Sequence, residues 1–409
     1  MAGDLPPGFE IIVAALFGAM IGSFLNVCIL RWGAEPKQSV VSPPSRCPRC
    51  GRGLAWYDNI PVVSWILLRA RCRGCGQPIS VQYPLVELGT AGIWAYMAWR
   101  HGVSLDALHG ATFSTILLGI AMTDARAYII PHEFSIGGTL IAIALAAWSD
   151  PSAALASLQG ALVGAGAVLL IGELSELAIG QEAMGGGDCA LMGMVGAFLG
   201  WESILPVLLI GAMISTFLFL VRALLPRRAS KEPVQTELEL PFHSGVEPGP
   251  RRFQWSVVLK LSAVGAVPIL VLAAAAGMGI TAQTLSTIFD ALLGAGVGYY
   301  AAFLLPVRVS RQEWIGVRGL IGAAFGVALG AGLSAPRLLL GLLLITMVLW
   351  RFRRVSLIAS PNTAEELQAE GYLPFGVGLA LAAGLLTLSG AMPVVRDLVL
   401  EYSRLLRMV

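Results

Sequence analysis

Long apolar runs separated by short polar stretches set the pattern of this chain. Runs close to the roughly 20 residues that cross a bilayer predict helical spans near 11–30, 84–100, 105–122, 135–149, 153–178, 203–221, 257–279, 286–305, 315–333, 337–350 and 373–395. A shorter hydrophobic piece at 190–200 completes a twelfth. The Gly and Ala within the runs suit close helix packing in lipid. The expected fold is therefore an all-α polytopic membrane protein, a bundle of about 11–12 spans.

Composition agrees. With 56% apolar and 13% charged residues over 409 positions, the chain is not an ordinary soluble globule, and its net charge of +2 adds little. Membrane lipid is the expected surrounding, and no feature points to nucleic acid. Lys and Arg gather in 31–83, in 222–256 and at Arg351, Arg353 and Arg354. Counting spans puts all three on one side, the cytoplasm by the positive-inside rule. The N-terminus then lies outside, with Asp4 and Glu10. It lacks a basic leading region and a small-residue cleavage site, so it is expected to stay as an anchor. Within it, Asn26 in Gly22-Ser23-Phe24-Leu25-Asn26-Val27 has two readings, an interhelical hydrogen bond or a role with substrate.

The polar segment 31–83 carries Cys47-Pro48-Arg49-Cys50 and Cys72-Arg73-Gly74-Cys75, with 21 residues between the pairs. Four thiolates at this spacing suit the tetrahedral preference of Zn²⁺ in a closed, structural site. Two disulfides are the alternative, but a cytoplasmic loop keeps its thiols reduced, which favours zinc. Cys28 and Cys189 stand alone in apolar surroundings and read as buried small hydrophobes. Just beyond the loop, Glu87 in Tyr83-Pro84-Leu85-Val86-Glu87-Leu88 enters the second span. Its cost in lipid calls for a partner, as a local cap or pair or in some wider role.

Two aspartates border apolar runs. Asp124 lies in Met122-Thr123-Asp124-Ala125-Arg126, ahead of a helix break at Pro131; Asp188 closes Gly185-Gly186-Gly187-Asp188, whose glycines allow a deformable helix start. Two carboxylates sharing one proton are the machinery of an aspartic protease: one activates water while the other polarises the scissile carbonyl. The structural alternatives are Asp188 as N-cap of a helix beginning at Cys189 and Asp124 as a partner of Arg126.

These motifs resemble the type IV prepilin peptidases, aspartic proteases of the bacterial inner membrane. The resemblance also rests on Gly196-Ala197-Phe198-Leu199-Gly200-Trp201 and Leu373-Pro374-Phe375-Gly376, and covers 9–221 and 373–395. It implies cleavage of the basic leader of prepilins or pseudopilins at the cytoplasmic face, followed by S-adenosylmethionine-dependent N-methylation of the new N-terminus. It assigns catalysis to Asp124 and Asp188 and metal binding to Cys47, Cys50, Cys72 and Cys75. Gly185, Gly186, Gly187, Asn26 and Glu87 are candidate supporting residues.

The chain departs from that pattern at three places. Ala190 stands where the family commonly has lysine, and Gly89-Thr90-Ala91-Gly92 is only loosely family-like. An insertion of about 150 residues occupies 222–370. The expected division is an anchor at 1–30, a zinc loop at 31–83, a peptidase core at 84–221, a linker at 222–256, an inserted membrane region at 257–372, and a final span and C-terminus at 373–409. A polar helix is expected near 359–372, capped by Asn362 or Thr363. The insertion echoes the core: Ala161-Leu162-Val163-Gly164-Ala165-Gly166 recurs as Ala291-Leu292-Leu293-Gly294-Ala295-Gly296, and Gln181-Glu182 as Gln312-Glu313. Degenerate duplication and chance likeness of Gly/Ala-rich helices both explain this; in the second copy Gly316-Val317-Arg318-Gly319 carries no acid.

Other chemistries lack their residues. His132-Glu133 is followed by Ile136 where a zinc protease needs its second histidine, and no serine elbow or phosphate loop is present. Two rivals remain: a proton- or cation-coupled transporter using the same acids, and a pseudoenzyme scaffold of pilus or secretion machinery.

Overall fold

A computed structural model describes residues 8–34, 36–179, 184–224, 290–297 and 375–390. The helices are α1 (Phe9–Trp32), α2 (Val63–Leu67), α3 (Gln82–His101), α4 (Leu105–Ala127), α5 (His132–Ser149), α6 (Pro151–Ile179), α7 (Gly186–Leu199), α8 (Ile204–Leu224), α9 (290–297) and α10 (Phe375–Ser389). No strand occurs among the described residues, only isolated bridges. Phe9–Trp32, Leu105–Ala127, Pro151–Ser175 and Trp201–Leu218 are long and apolar enough to cross a membrane. The protein is an all-α membrane protein. The expected spans at 257–279, 315–333 and 337–350, the linker beyond Leu224, the polar helix at 359–372 and the Gln312-Glu313 echo lie outside the described residues; of 286–305, only 290–297 is described.

The chain forms two compact units. The first is Met1–Ala127 with Phe217–Gln254; the second is Tyr128–Thr216 with Trp255–Val409. In the first, α1 packs on α3 through small residues spaced one turn apart. A Cβ on Gly18 would collide with the carbonyl of Thr90 and with Trp94, and one on Gly22 with the backbone of Glu87. This is the close backbone approach by which helices associate in lipid, where apolar side chains alone give no driving force. Trp94 then ties the pair to α4 by donating from Nε1 to Thr115 Oγ1 at 3.1 Å. The opposite face of α1 is bare: Ile12, Leu16, Met20 and Phe24 are all more than half exposed, as a face toward acyl chains should be.

In the second unit α7 is the innermost element. Ala190, Leu191, Met192, Met194 and Val195 have no exposed surface, and a helix apolar on all sides belongs in an interior. It approaches α6 backbone to backbone, since a Cβ on Gly160 would overlap the carbonyl of Gly196 and one on Gly196 that of Gly160. Ser157 Oγ donates to the Ala197 carbonyl at 2.8 Å in the same seam. The segments echoed in the sequence also meet. A Cβ on Gly166 would overlap the Leu292 carbonyl, and one on Gly296 the Leu162 carbonyl. In the echoed register Leu162 matches Leu292 and Gly166 matches Gly296, so the two segments cross with local two-fold symmetry.

Candidate active site and metal centre

The four loop cysteines form two copies of one knuckle. In each, the N–H of the first cysteine is tied back to a carbonyl five residues on, Cys47 to Arg52 at 2.9 Å and Cys72 to Gln77 at 2.8 Å. The carbonyl of each first cysteine accepts from the glycine after the second, Gly51 and Gly76, at 2.9 Å in both cases. Those glycines have φ of +70° and +69°, the left-handed region that a side chain disfavours. A bridge closes each knuckle, Arg46 to Gly53 and Arg71 to Pro78. The glycine that follows each second cysteine is a sequence signal the spacing argument passed over.

The knuckles face each other. None of the six cysteines is in a disulfide, and the four loop sulfurs lie within 4.8 Å of one another. Cys47 Sγ and Cys75 Sγ are 3.8 Å apart; a tetrahedral metal with sulfurs at about 2.3 Å sets its ligands roughly 3.8 Å from each other. Two separate disulfides would not bring four thiols to one point. The cluster is therefore a site that can bind a metal. Its electrostatics agree: N–H groups of Cys75 and Gly74 draw the Cys72 thiol down to about 6. Cys75, despite the N–H of Gln77, is pushed up to about 11 by desolvation and its thiol neighbours. Four crowded sulfurs cannot all ionise without a cation between them.

Between the knuckles lie a 3-10 turn at Trp56–Asn59 and the short α2. Arg73 of the second knuckle pairs with Asp58 at 2.7 Å, and Trp65 Nε1 donates to the Ile79 carbonyl at 3.3 Å. Glu87, buried on α3, accepts the N–H of Val62 at 2.7 Å. The partner anticipated for this acid is thus the backbone of the cysteine loop, 25 residues earlier. Asn26 is fully buried on α1; its Nδ2 donates to the carbonyls of Tyr83 at 3.1 Å and Gly22 at 3.3 Å. Its interhelical reading is realised toward the start of α3, while its Oδ1 has no hydrogen-bond partner.

Asp124 lies in the last turn of α4 and is buried, 4% exposed. Arg126 donates to the Gln82 side-chain oxygen on α3. Asp188 is buried too, 6% exposed. Helix α7 begins at Gly186, not at Cys189, so Asp188 is its third residue and not its N-cap. From there its Oδ2 accepts the N–H of Gly185 at 3.2 Å, satisfying one of the free donors at the helix start. The glycines act differently from expectation. Gly185 is extended, with φ of −82°, whereas a Cβ on Gly187 would stand 3.0 Å from Ile130 Cβ, tighter than ordinary contact. Ala190, at the position where the resembled family commonly has lysine, is fully buried. Glu173, buried in α6 of the same unit as Asp188, was overlooked inside an apolar run; a carboxylate there is as costly as the two aspartates.

The bacterial peptidase A24 N-terminal domain matches residues 16–101, which hold the cysteine cluster, and the type IV leader peptidase family matches 111–220, which hold both aspartates. A prepilin leader peptidase/N-methyltransferase of Myxococcus xanthus is 39% identical over 239 residues, 58% of this chain and 70% of that protein. Proteins of the same name from Pseudomonas putida and Neisseria gonorrhoeae are each 32% identical, over 53% and 54% of this chain and 84% of each relative. No solved structure matches the chain significantly. The chain belongs to the type IV leader peptidase family and is a bacterial membrane protein.

Proposed function

We propose that this protein is an aspartic endopeptidase that removes the leader of type IV prepilins or pseudopilins at the cytoplasmic face of the inner membrane. The observation that carries the proposal is the pair of buried carboxylates at the ends of apolar helices, Asp124 on α4 and Asp188 on α7, both inside the leader peptidase match. In the proposed reaction one carboxylate accepts a proton from water as it attacks the scissile carbonyl, and the other, protonated, donates to the carbonyl oxygen. Family membership favours this over transport or a scaffold. The Asn26, Glu87 and Gly185–Gly187 positions support the site indirectly, through the contacts already described.

The four cysteines fit Zn²⁺ in a structural role: their donor set is all sulfur, and the four sulfurs lie within 4.8 Å of one another, close enough to share one tetrahedral ion. Named relatives are N-methyltransferases as well as peptidases, and methylation of the freed amine with S-adenosylmethionine belongs to the same proposal. Leader cleavage in membranes tests the first activity: Asp124→Asn and Asp188→Asn should each abolish processing of a prepilin while bound zinc stays at the wild-type level. Retained processing in either variant removes the peptidase reading. Transfer of a labelled methyl group to cleaved pilin tests the second.

A further inference from the structure

The metal-binding loop is an unusual surface for a polar segment. Over 36–81 it holds seven Lys and Arg against one acid, Asp58, and remains net positive with four thiolates on a divalent metal. Yet Val41 is 86% exposed and Trp56 80% exposed, with Ile66 and Leu67 also well over half exposed. Basic and apolar side chains side by side on an exposed surface are the composition of a segment seated at a membrane interface, where the apolar groups enter the acyl boundary and the cations reach phosphates.

A groove of about 760 Å³ shows how the two surfaces join. One wall is the bare face of α1, with Leu16, Met20, Phe24 and Val27; the other is the loop, with Val41, Pro44, Trp56 and Ile60. The lipid-facing stripe of the transmembrane helix thus continues without a break onto the loop. Arg31 also lines the groove. Its two terminal nitrogens donate to the carbonyls of Ser39 and Pro43, each at 2.6 Å, which fixes a guanidinium charge beside an apolar slot at the end of α1.

We propose that this groove binds one anionic glycerophospholipid, its acyl chain between α1 and the loop and its headgroup against the loop's basic side, so that lipid seats the metal-binding loop on the bilayer. Continuity with the lipid-facing helix identifies an acyl chain, and the sign of the loop's charge selects an anionic headgroup and disfavours the basic leader of a prepilin. The assignment concerns the first unit alone and does not depend on the catalytic reading.

The test is native mass spectrometry of the full chain, extracted in mild detergent and titrated with phosphatidylglycerol or phosphatidylcholine. The wild type should retain one phosphatidylglycerol roughly tenfold more tightly than phosphatidylcholine. Val41→Asn with Ile60→Asn should lose that molecule while keeping its zinc, which reports an intact loop. Equal retention of the two lipids overturns the proposal, as does unchanged retention in the double variant. Displacement of the lipid by an equimolar synthetic apolar pilin helix also overturns it and assigns the groove to a protein partner.

Discussion

The buried carboxylate of Glu87 accepts the backbone N–H of Val62 at 2.7 Å, joining α3 to the loop that carries the cysteine cluster. Val62 has φ of +62° and ψ of −48°, and the N–H of Val63 reaches back to the Pro61 carbonyl at 2.6 Å. That is a classic-hand γ-turn, rare for any residue and costly for a β-branched one. Glu87 holds the chain in that turn.

Glu87→Ala should therefore release the loop from α3 and cost about 1–3 kcal/mol, the range for leaving a buried hydrogen-bonding group without its partner. Hydrogen exchange checks it directly: the Val62 amide should lose protection in the variant, with zinc still bound. Unchanged protection would show that the carboxylate does not hold the turn.

Each cysteine of the cluster should be needed for metal. Cys47→Ser or Cys72→Ser should drop bound zinc, measured by atomic absorption, from one ion per chain toward none. Acid should do the same reversibly. The Cys72 thiol lies at about 6, below its ordinary value near 9, so the thiolate persists down to about pH 6, while the stability it confers is full only above the ordinary value and is lost progressively as pH falls from there through about 6. Metal competing with the proton moves the loss lower still. Zinc release that begins above neutral pH would contradict this.

The two knuckle glycines make a controlled comparison. A Cβ on Gly51 or Gly76 meets nothing within 4 Å, so only backbone strain opposes a side chain. Gly51→Ala and Gly76→Ala should each cost about 1–2 kcal/mol, and asparagine at either site should cost less because it tolerates the left-handed region. Thermal unfolding of the zinc-loaded protein measures both; equal tolerance of alanine and asparagine would mean the turns relax.

Gly166 and Gly296 oppose substitution for the other reason, close backbone contact between α6 and α9. Leucine at either should destabilise the second unit by about 3 kcal/mol or more, whereas leucine at Gly137, with open space around it, should cost little. Similar melting of all three variants would deny the crossing of the two echoed segments.

What was legible beforehand follows from how local each signal is. Apolar runs located α1, α3, α4, α5, α6 and α8 within a few residues, because an apolar pattern runs the length of each helix; of these, α3 and α5 are not among the stretches long and apolar enough to cross a membrane. The cysteine cluster was legible because metal geometry constrains spacing. The start of α7 was misplaced: its first turn is glycine, which carries no apolar signal, so the pattern became visible only near 190. Glu87 was visible as an anomaly, but its partner was not, since a strained turn at Val62 leaves no trace in residue type. Gly187 was noticed for its backbone freedom, while its close approach to Ile130 was not legible from residue type.

The proposal stands or falls with the joint action of Asp124 and Asp188, and a double-variant kinetic cycle measures it most directly. Initial rates of prepilin leader cleavage should be compared for Asp124→Asn, Asp188→Asn and the two combined, in proteins that all retain zinc. Groups that work on one water as a unit give strongly non-additive losses, so each single variant should lose about as much rate as the pair, roughly 10³-fold or more. Losses that multiply independently, or a single variant that still cleaves at near the original rate, would contradict a shared catalytic centre.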